Sequence, residues 1–312
     1  MNRAILWDTA MADAIGGRSE QQYRVAVFRD GGSGAVLAVV ADGLGGHVGG
    51  AAAAQAVIDA AGEFWAQSPK PAAEPEQLLA DICLAAHRRI VAMSTETGRD
   101  GHSTCALLYG DTKVTAWLHV GDSRVYHFRG ATIVGHTRDH SLIQLMVERG
   151  DIQEAEMADH PDQNRLLQAL GGDREPRPDS GQAQAGEGDA YLLCSDGLWE
   201  AITPDEMARA LVGRPLATVA RELTEVAATR RGPSSDNIAV ALVRSTPHRP
   251  PPGRRRTRRA VMALLAAAVL TLLAAFSLRP GWPAWLAQRV VAGPAGNPVP
   301  PPLSPPEPSV PR

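Results

Sequence analysis

Apolar and polar positions along the chain follow two periodicities. Continuous apolar runs at Ala35–Ala41, Ala190–Cys194 and Ile238–Val243 predict buried strands. Tyr23–Phe28 and Ala35–Ala41 flank Asp30-Gly31-Gly32-Ser33-Gly34, a hairpin signal. Ser103–Tyr109, Lys113–His119, Arg124–Arg129 and Thr132–Gly135, separated by Gly110-Asp111, Gly121-Asp122 and Gly130, predict an antiparallel meander. Helical spacing governs alanine-rich Gly50–Trp65 and also Glu76–Met93, where Leu79, Ile82, Ala86, Ile90 and Met93 share a face. The Pro/Ala segment Ser68–Pro75 joins these two. A helix over Asp139–Arg149 ends at Gly150 and leads into the polar stretch Asp151–Asn164. Thr203-Pro204-Asp205-Glu206 combines a cap, a first-turn proline and a capping-box glutamate, so a helix starts there, and Leu216–Arg230 supplies another.

Beyond Ser245 the pattern changes abruptly. Pro247–Gly253 is proline-rich, and Arg254-Arg255-Arg256-Thr257-Arg258-Arg259 directly precedes an apolar run. Ala260–Leu278 carries no charge over about 19 residues, close to the roughly 20 needed to cross a bilayer. It reads as a transmembrane helix. The preceding arginines orient it with residues 1–245 in the cytosol, while Trp282 and Trp285 fit the far interface. The division expected is a domain over 1–245, a juxtamembrane linker over 246–259, a span over 260–278 and a proline-rich, disordered tail over 279–312.

Composition adds little and excludes more. A formal charge of -3 gives no reason to invoke nucleic acid. Cys83, Cys105 and Cys194 are odd in number and show no C-x-x-C spacing, which argues against disulfides and thiolate metal sites. Met1–Trp7 is too short for a signal peptide.

The chemistry lies where strands end. Asp42-Gly43, Asp122-Ser123, Asp196-Gly197 and Asp236-Asn237 each put an aspartate beside a small residue at the border of an apolar run. One such step is usually a turn. Several brought together suit a hard divalent cation, which takes oxygen ligands from a few rigidly held carboxylates. Glycines at these points let the backbone approach a ligand, so a main-chain carbonyl can join the carboxylates.

Gly17-Arg18, Asp42-Gly43-Leu44-Gly45-Gly46-His47, Val120-Gly121-Asp122-Ser123-Arg124, Thr137-Arg138-Asp139-His140-Ser141, Leu193-Cys194-Ser195-Asp196-Gly197-Leu198-Trp199 and Ser235-Asp236-Asn237-Ile238 occur in that order. In them the chain resembles the PPM-type, protein phosphatase 2C family of metal-dependent protein Ser/Thr phosphatases in its bacterial form, over roughly residues 3–245. The resemblance implies an α+β fold, a four-layer α-β-β-α sandwich with two central antiparallel sheets, to which the C-terminal transmembrane helix is added. It implies two Mn²⁺ or Mg²⁺ ions bridged by Asp42, with the Gly43 carbonyl on one, Asp196 and Asp236 on the other, and Asp122 at a weaker third position. Arg18 matches the family's phosphate-binding arginine, and His47 is a candidate general acid whose rival role is a loop-holding hydrogen bond. His119 and His140 are less promising, the latter because helix capping is the simpler reading. The stretch after residue 150 matches a flap that shapes substrate choice; its bland alternative is a solvated excursion.

The implied activity is hydrolysis of phosphoserine and phosphothreonine on proteins at a bacterial inner membrane, opposed by a cognate Ser/Thr kinase. One departure stands against it. Tyr23 occupies the position where the family carries an acid, and a neutral phenol cannot replace a carboxylate that holds metal-bound water. The second ion, the one near Tyr23, should then bind more weakly or be held by fewer protein groups. Two alternatives follow: a degenerate phosphatase that binds phosphoproteins or partners without turnover, and a metal-dependent nuclease, which also uses clustered acids.

Overall fold

The computed structural model describes residues 5–45, 47–98 and 100–247. The chain divides into two units, Met1–His248 and Arg249–Arg312. The second lies outside the described residues, as do most of the linker, the 260–278 span and the tail. Among the described residues no helix is long and apolar enough to cross a membrane.

The described residues form twelve strands and six α-helices, in chain order β1 (Ile5–Ala14), β2 (Arg24–Arg29), β3 (Val36–Ala41), β4 (Gly43–Leu44), α1 (His47–Gln67), α2 (Pro75–Thr97), β5 (His102–Ser103), β6 (Cys105–Gly110), β7 (Val114–Val120), β8 (Arg124–Arg129), β9 (Thr132–His136), α3 (Leu142–Arg149), β10 (Asp179–Gln184), β11 (Asp189–Cys194), α4 (Asp196–Trp199), α5 (Pro204–Leu211), α6 (Leu216–Arg231) and β12 (Ile238–Pro247). One sheet runs β1-β12-β11-β8-β9, the other β10-β7-β6-β3-β2, and β4-β5 form a small ribbon. All pairings within them are antiparallel.

Strand alternation explains why the central runs are apolar throughout. In β3, Leu37, Val39 and Ala41 pack with Val57, Ile82 and Ile90 of α1 and α2. Val36, Ala38 and Val40 turn to the other face and meet Tyr191, Leu193, Ala239 and Ala241 of the second sheet. That second sheet buries its outer face, including Leu192, Val240 and Leu242, under Met207, Val219 and Leu223 of α5 and α6. Three apolar layers between four structural layers make the α-β-β-α sandwich that the resemblance implies.

The expected meander is corrected at one point. β6 and β7 pair, and β8 and β9 pair, but β7 and β8 belong to different sheets. The chain crosses at Gly121, whose φ of +97° only glycine adopts without strain; a side chain there would also strike Thr104. Strands β1 and β10 carry no clear signal in the sequence, and both sit at sheet edges.

Local signals hold where they are chemical. Thr203 accepts from the Glu206 N–H and the Glu206 carboxylate accepts from the Thr203 N–H, the reciprocal capping box expected of α5. Helix α3 starts later than Asp139: Ser141 is its cap, accepting from Gln144 N–H, and Gly150 ends it in the left-handed region. All three cysteines are buried and free.

Candidate metal centre

Each candidate acid sits where a strand leaves its sheet at the seam between the two. Asp42 follows β3 and Asp122 follows β7, so one sheet supplies two. Asp196 follows β11 and Asp236 lies just ahead of β12, so the other supplies two. With Arg18, Tyr23 and Gly43 they line a single cleft of about 360 Å³. Asn164, the last residue of the segment expected to form a flap, and Leu166 just beyond it also line the cleft. His47 opens α1, and its side chain lies outside the described residues.

The backbone around the acids is packed without slack. A Cβ on Gly43 would lie 2.1 Å from the Gly50 carbonyl oxygen, and one on Gly197 would lie 2.2 Å from that of Asn237. Only glycine permits the start of α1 to close on the first acid and α4 to close on the last motif.

Several groups that carry no expected role in the chemistry hold these loops. Asp42 N–H donates to Thr104 Oγ1 at 2.9 Å, the Asp42 carbonyl accepts from Thr104 N–H and Ser103 Oγ, and Thr104 Oγ1 meets Ser123 Oγ at 2.7 Å. The Asp42 and Asp122 loops are thereby stitched together. Asn237 accepts from Gln22 N–H at 2.7 Å and donates to the Ile15 carbonyl at 2.8 Å, which ties the N-terminal motif to Asp236. The Asp122 carbonyl accepts from Trp199 Nε1, the Trp199 ring carries the Arg124 guanidinium 3.7 Å above it, and Arg124 forks onto buried Asp139 at 2.8 Å through both nitrogens. Asp139 therefore braces the Asp122 turn rather than starting a helix.

Electrostatically the cleft favours a bound cation. Burial first, then the neighbouring acids, pushes the Asp42 carboxyl well above the usual range; burial and Asp196 do the same to Asp122. Asp196 is pushed up to about 6, by burial and then Asp236. Asp42 Oδ1 and Asp122 Oδ1 are buried without a hydrogen-bond partner. Orphaned carboxylate oxygens converging on one cleft fit hard divalent ions.

This arrangement fixes a pH dependence. Folded carboxyl values above the unfolded value of about 3.9 contribute stability that is complete below that value and lost as pH rises through the raised ones. The metal-free chain is expected to melt lower at pH 8 than at pH 5, and Mn²⁺ to raise Tm more at pH 8. Thermal scans with EDTA and with Mn²⁺ at both pH values check this; equal Mn²⁺ effects would contradict it.

Two contacts alter the expectations for the motif residues. Arg18 lies against Asp236, with Nε 2.9 Å from Oδ1 and the second guanidinium nitrogen on Oδ2. The Arg18 side chain is 59% exposed, and an exposed pair is worth about 0–1 kcal/mol, so it can be released toward an incoming phosphate. Tyr23 is buried and its hydroxyl donates to Asp196 Oδ1 at 3.0 Å. The phenol thus engages a carboxylate that the resemblance would give to the ion away from Gly43. Burial, then Asp196, drives the Tyr23 pKa well up, so the hydroxyl keeps its proton and remains a donor.

Comparison with known proteins shows the family. The family model for protein phosphatase 2C matches residues 19–233. The serine/threonine protein phosphatase PstP of Mycobacterium tuberculosis is 33% identical over 217 residues, covering 68% of this chain and 41% of the relative, so the chain spans less than half of that relative's length. A putative protein phosphatase 2C-type protein of Streptococcus pyogenes is 30% identical over 73% of this chain and 93% of its own length. The solved catalytic domain of PstP in complex with two manganese ions superposes with a TM-score of 0.66 at 27% identity, covering 78% of this chain and 99% of that one. The chain belongs to the protein phosphatase 2C family.

Proposed function

We propose that the chain is a metal-dependent protein Ser/Thr phosphatase, hydrolysing phosphoserine and phosphothreonine with two Mn²⁺ or Mg²⁺ ions and a weaker third. The observation that carries this reading is the convergence of four aspartates on one cleft, with Asp42 Oδ1 and Asp122 Oδ1 left without protein partners. Asp42 would bridge the two ions, the Gly43 carbonyl joining one, Asp196 and Asp236 the other, and Asp122 the accessory position. Ions held there supply Lewis acidity to phosphoryl oxygens and lower the pKa of water within reach. Arg18 turns its planar fork from Asp236 to two phosphate oxygens, fixing the ester in line. His47 delivers a proton to the departing alkoxide. The wall that includes Asn164 and Leu166 limits which phosphorylated side chains enter.

Tethering to a bacterial inner membrane through 260–278, with the catalytic domain cytoplasmic, rests on the charge-free run behind Arg254–Arg259. Its substrates would be phosphoproteins near that surface, and its antagonist a Ser/Thr kinase of the same cell. Mn²⁺-dependent release of phosphate from a phosphothreonine peptide by the full chain tests the activity.

One contact supports a second reading, a phosphoprotein-binding module with weakened chemistry. The Tyr23 hydroxyl occupies Asp196 where the family carries an acid. Tyr23→Asp is expected to tighten Mn²⁺ binding by roughly tenfold, the usual scale for restoring a group that supports metal ligands, and to raise turnover at limiting Mn²⁺. Calorimetric Mn²⁺ titration beside p-nitrophenyl phosphate hydrolysis reads both. Identical affinity and rate in the two proteins would show that the phenol is harmless. A folded wild type that binds the phosphopeptide yet never releases phosphate would favour the binding module.

A further inference from the structure

Two histidines with no role in the phosphatase centre meet a third potential ligand. His119 lies in β7 and Asp179 in β10, and the strand register sets them directly opposite each other. His140 is clamped beside them by Gly121: its N–H donates to the Gly121 carbonyl at 2.9 Å, and its Nδ1 accepts from the Gly121 N–H at 3.3 Å. The two imidazoles stack with centroids 4.6 Å apart, and His140 Nε2 lies 3.5 Å from Asp179 Oδ2. One ligand atom from each of the three residues falls within 4.8 Å of the others.

The tautomer of His119 follows from its partner. A carbonyl can only accept, so His119 Nε2, 2.7 Å from the Arg138 oxygen, carries the ring proton. The lone pair therefore sits on Nδ1, which is buried and has no hydrogen-bond partner. Burial lowers the His119 pKa, which keeps that lone pair available at neutral pH. A ring whose far N–H is held by a backbone carbonyl while its other nitrogen is free has the arrangement of a metal-ligating histidine. Asp179, 68% exposed at its side chain, opens the cluster to solvent and adds a negative charge.

We propose that His119, His140 and Asp179 form a second metal site, separate from the carboxylate cleft, for a zinc-class divalent cation. Two imidazoles and one carboxylate suit Zn²⁺ with water in the fourth position, whereas the oxygen-rich cleft suits Mn²⁺ or Mg²⁺. Ligation through His140 Nε2 shifts that ring's proton to Nδ1, at the expense of the long bond from Gly121 N–H.

The test is a Zn²⁺ titration of the metal-stripped full chain in excess Mg²⁺ against a chromophoric zinc chelator, repeated with Co²⁺ for its ligand-field spectrum. One Zn²⁺ equivalent and intense tetrahedral Co²⁺ bands are expected, both retained in Asp42→Asn, whose lesion lies in the phosphatase cleft. Affinity should fall at least the roughly ten- to hundredfold that loss of even a supporting partner costs in His119→Gln, His140→Gln and Asp179→Asn. Asp179 is exposed, so Asp179→Asn keeps the test valid if a histidine variant fails to fold. Undiminished Zn²⁺ affinity in folded Asp179→Asn and His140→Gln, loss of the signal in Asp42→Asn, or no Zn²⁺ uptake by the wild type would each overturn the proposal.

Discussion

Asp42→Ala in the full chain is expected to cut Mn²⁺-dependent hydrolysis of p-nitrophenyl phosphate by about a thousandfold or more while leaving the fold intact. The magnitude follows from what the side chain would do. As the bridging carboxylate it would fix both ions, and charge stabilisation by a correctly placed metal amounts to several kcal/mol, with each ~1.4 kcal/mol equal to a factor of ten in rate. The fold should survive because the Asp42 backbone, not its carboxylate, carries the bonds to Ser103 and Thr104. Removing a buried acid whose neighbours hold its pKa up should even raise the melting temperature of the metal-free protein at pH 8. Hydrolysis that persists within tenfold of wild type, with normal circular dichroism, would sink the assignment of Asp42 as the bridge. The pairing of lost activity with preserved or increased apo stability is the signature to look for.

Asp139→Ala should act in the opposite way, destabilising the domain by about 3–5 kcal/mol, because it strands a buried guanidinium. Arg124 and Asp139 are both buried and doubly hydrogen-bonded, so neither charge can recover its lost hydration from water. Tyr126 and the Trp199 ring remain as partners for Arg124, but neither supplies a compensating negative charge. Urea unfolding monitored by tryptophan fluorescence reads the loss as a lower midpoint. Asp139→Asn, which keeps a carbonyl acceptor, should lose less. A change within ~0.5 kcal/mol for the alanine variant would mean that water replaces the carboxylate and that the brace is dispensable.

The carboxylate cluster is legible in the sequence because Asp42, Asp122, Asp196 and Asp236 all interrupt apolar strands, and such strands must end at the borders of sheets. The α5 start is legible because a capping box is local chemistry needing nothing from the rest of the chain. Strand β1 is not, since its pairing partner β12 lies at the far end of the domain, Ile5 aligning with Pro247. Strand β10 reads Asp-Ser-Gly-Gln-Ala-Gln, a polar edge whose strand character comes only from the β7 backbone. The meander expectation fails for a related reason: four strands separated by short breaks look alike whether they stay in one sheet or cross at Gly121. The sequence likewise contains Asp139 without its burial, and Tyr23 without the carboxylate it touches, because both properties arise from pairings between distant segments.

Because each sheet contributes two of the acids, the inner layer of the sandwich is a gauge for the cleft between them. Ala38, Ala106, Ala239 and Ala241 are small residues at the interface that separates the sheets. Close-packed interiors transmit a change of even one methylene. The packing of that layer, in which Trp7 and Tyr191 sit beside these alanines, therefore fixes how far the strand ends bearing Asp42 and Asp122 stand from those bearing Asp196 and Asp236.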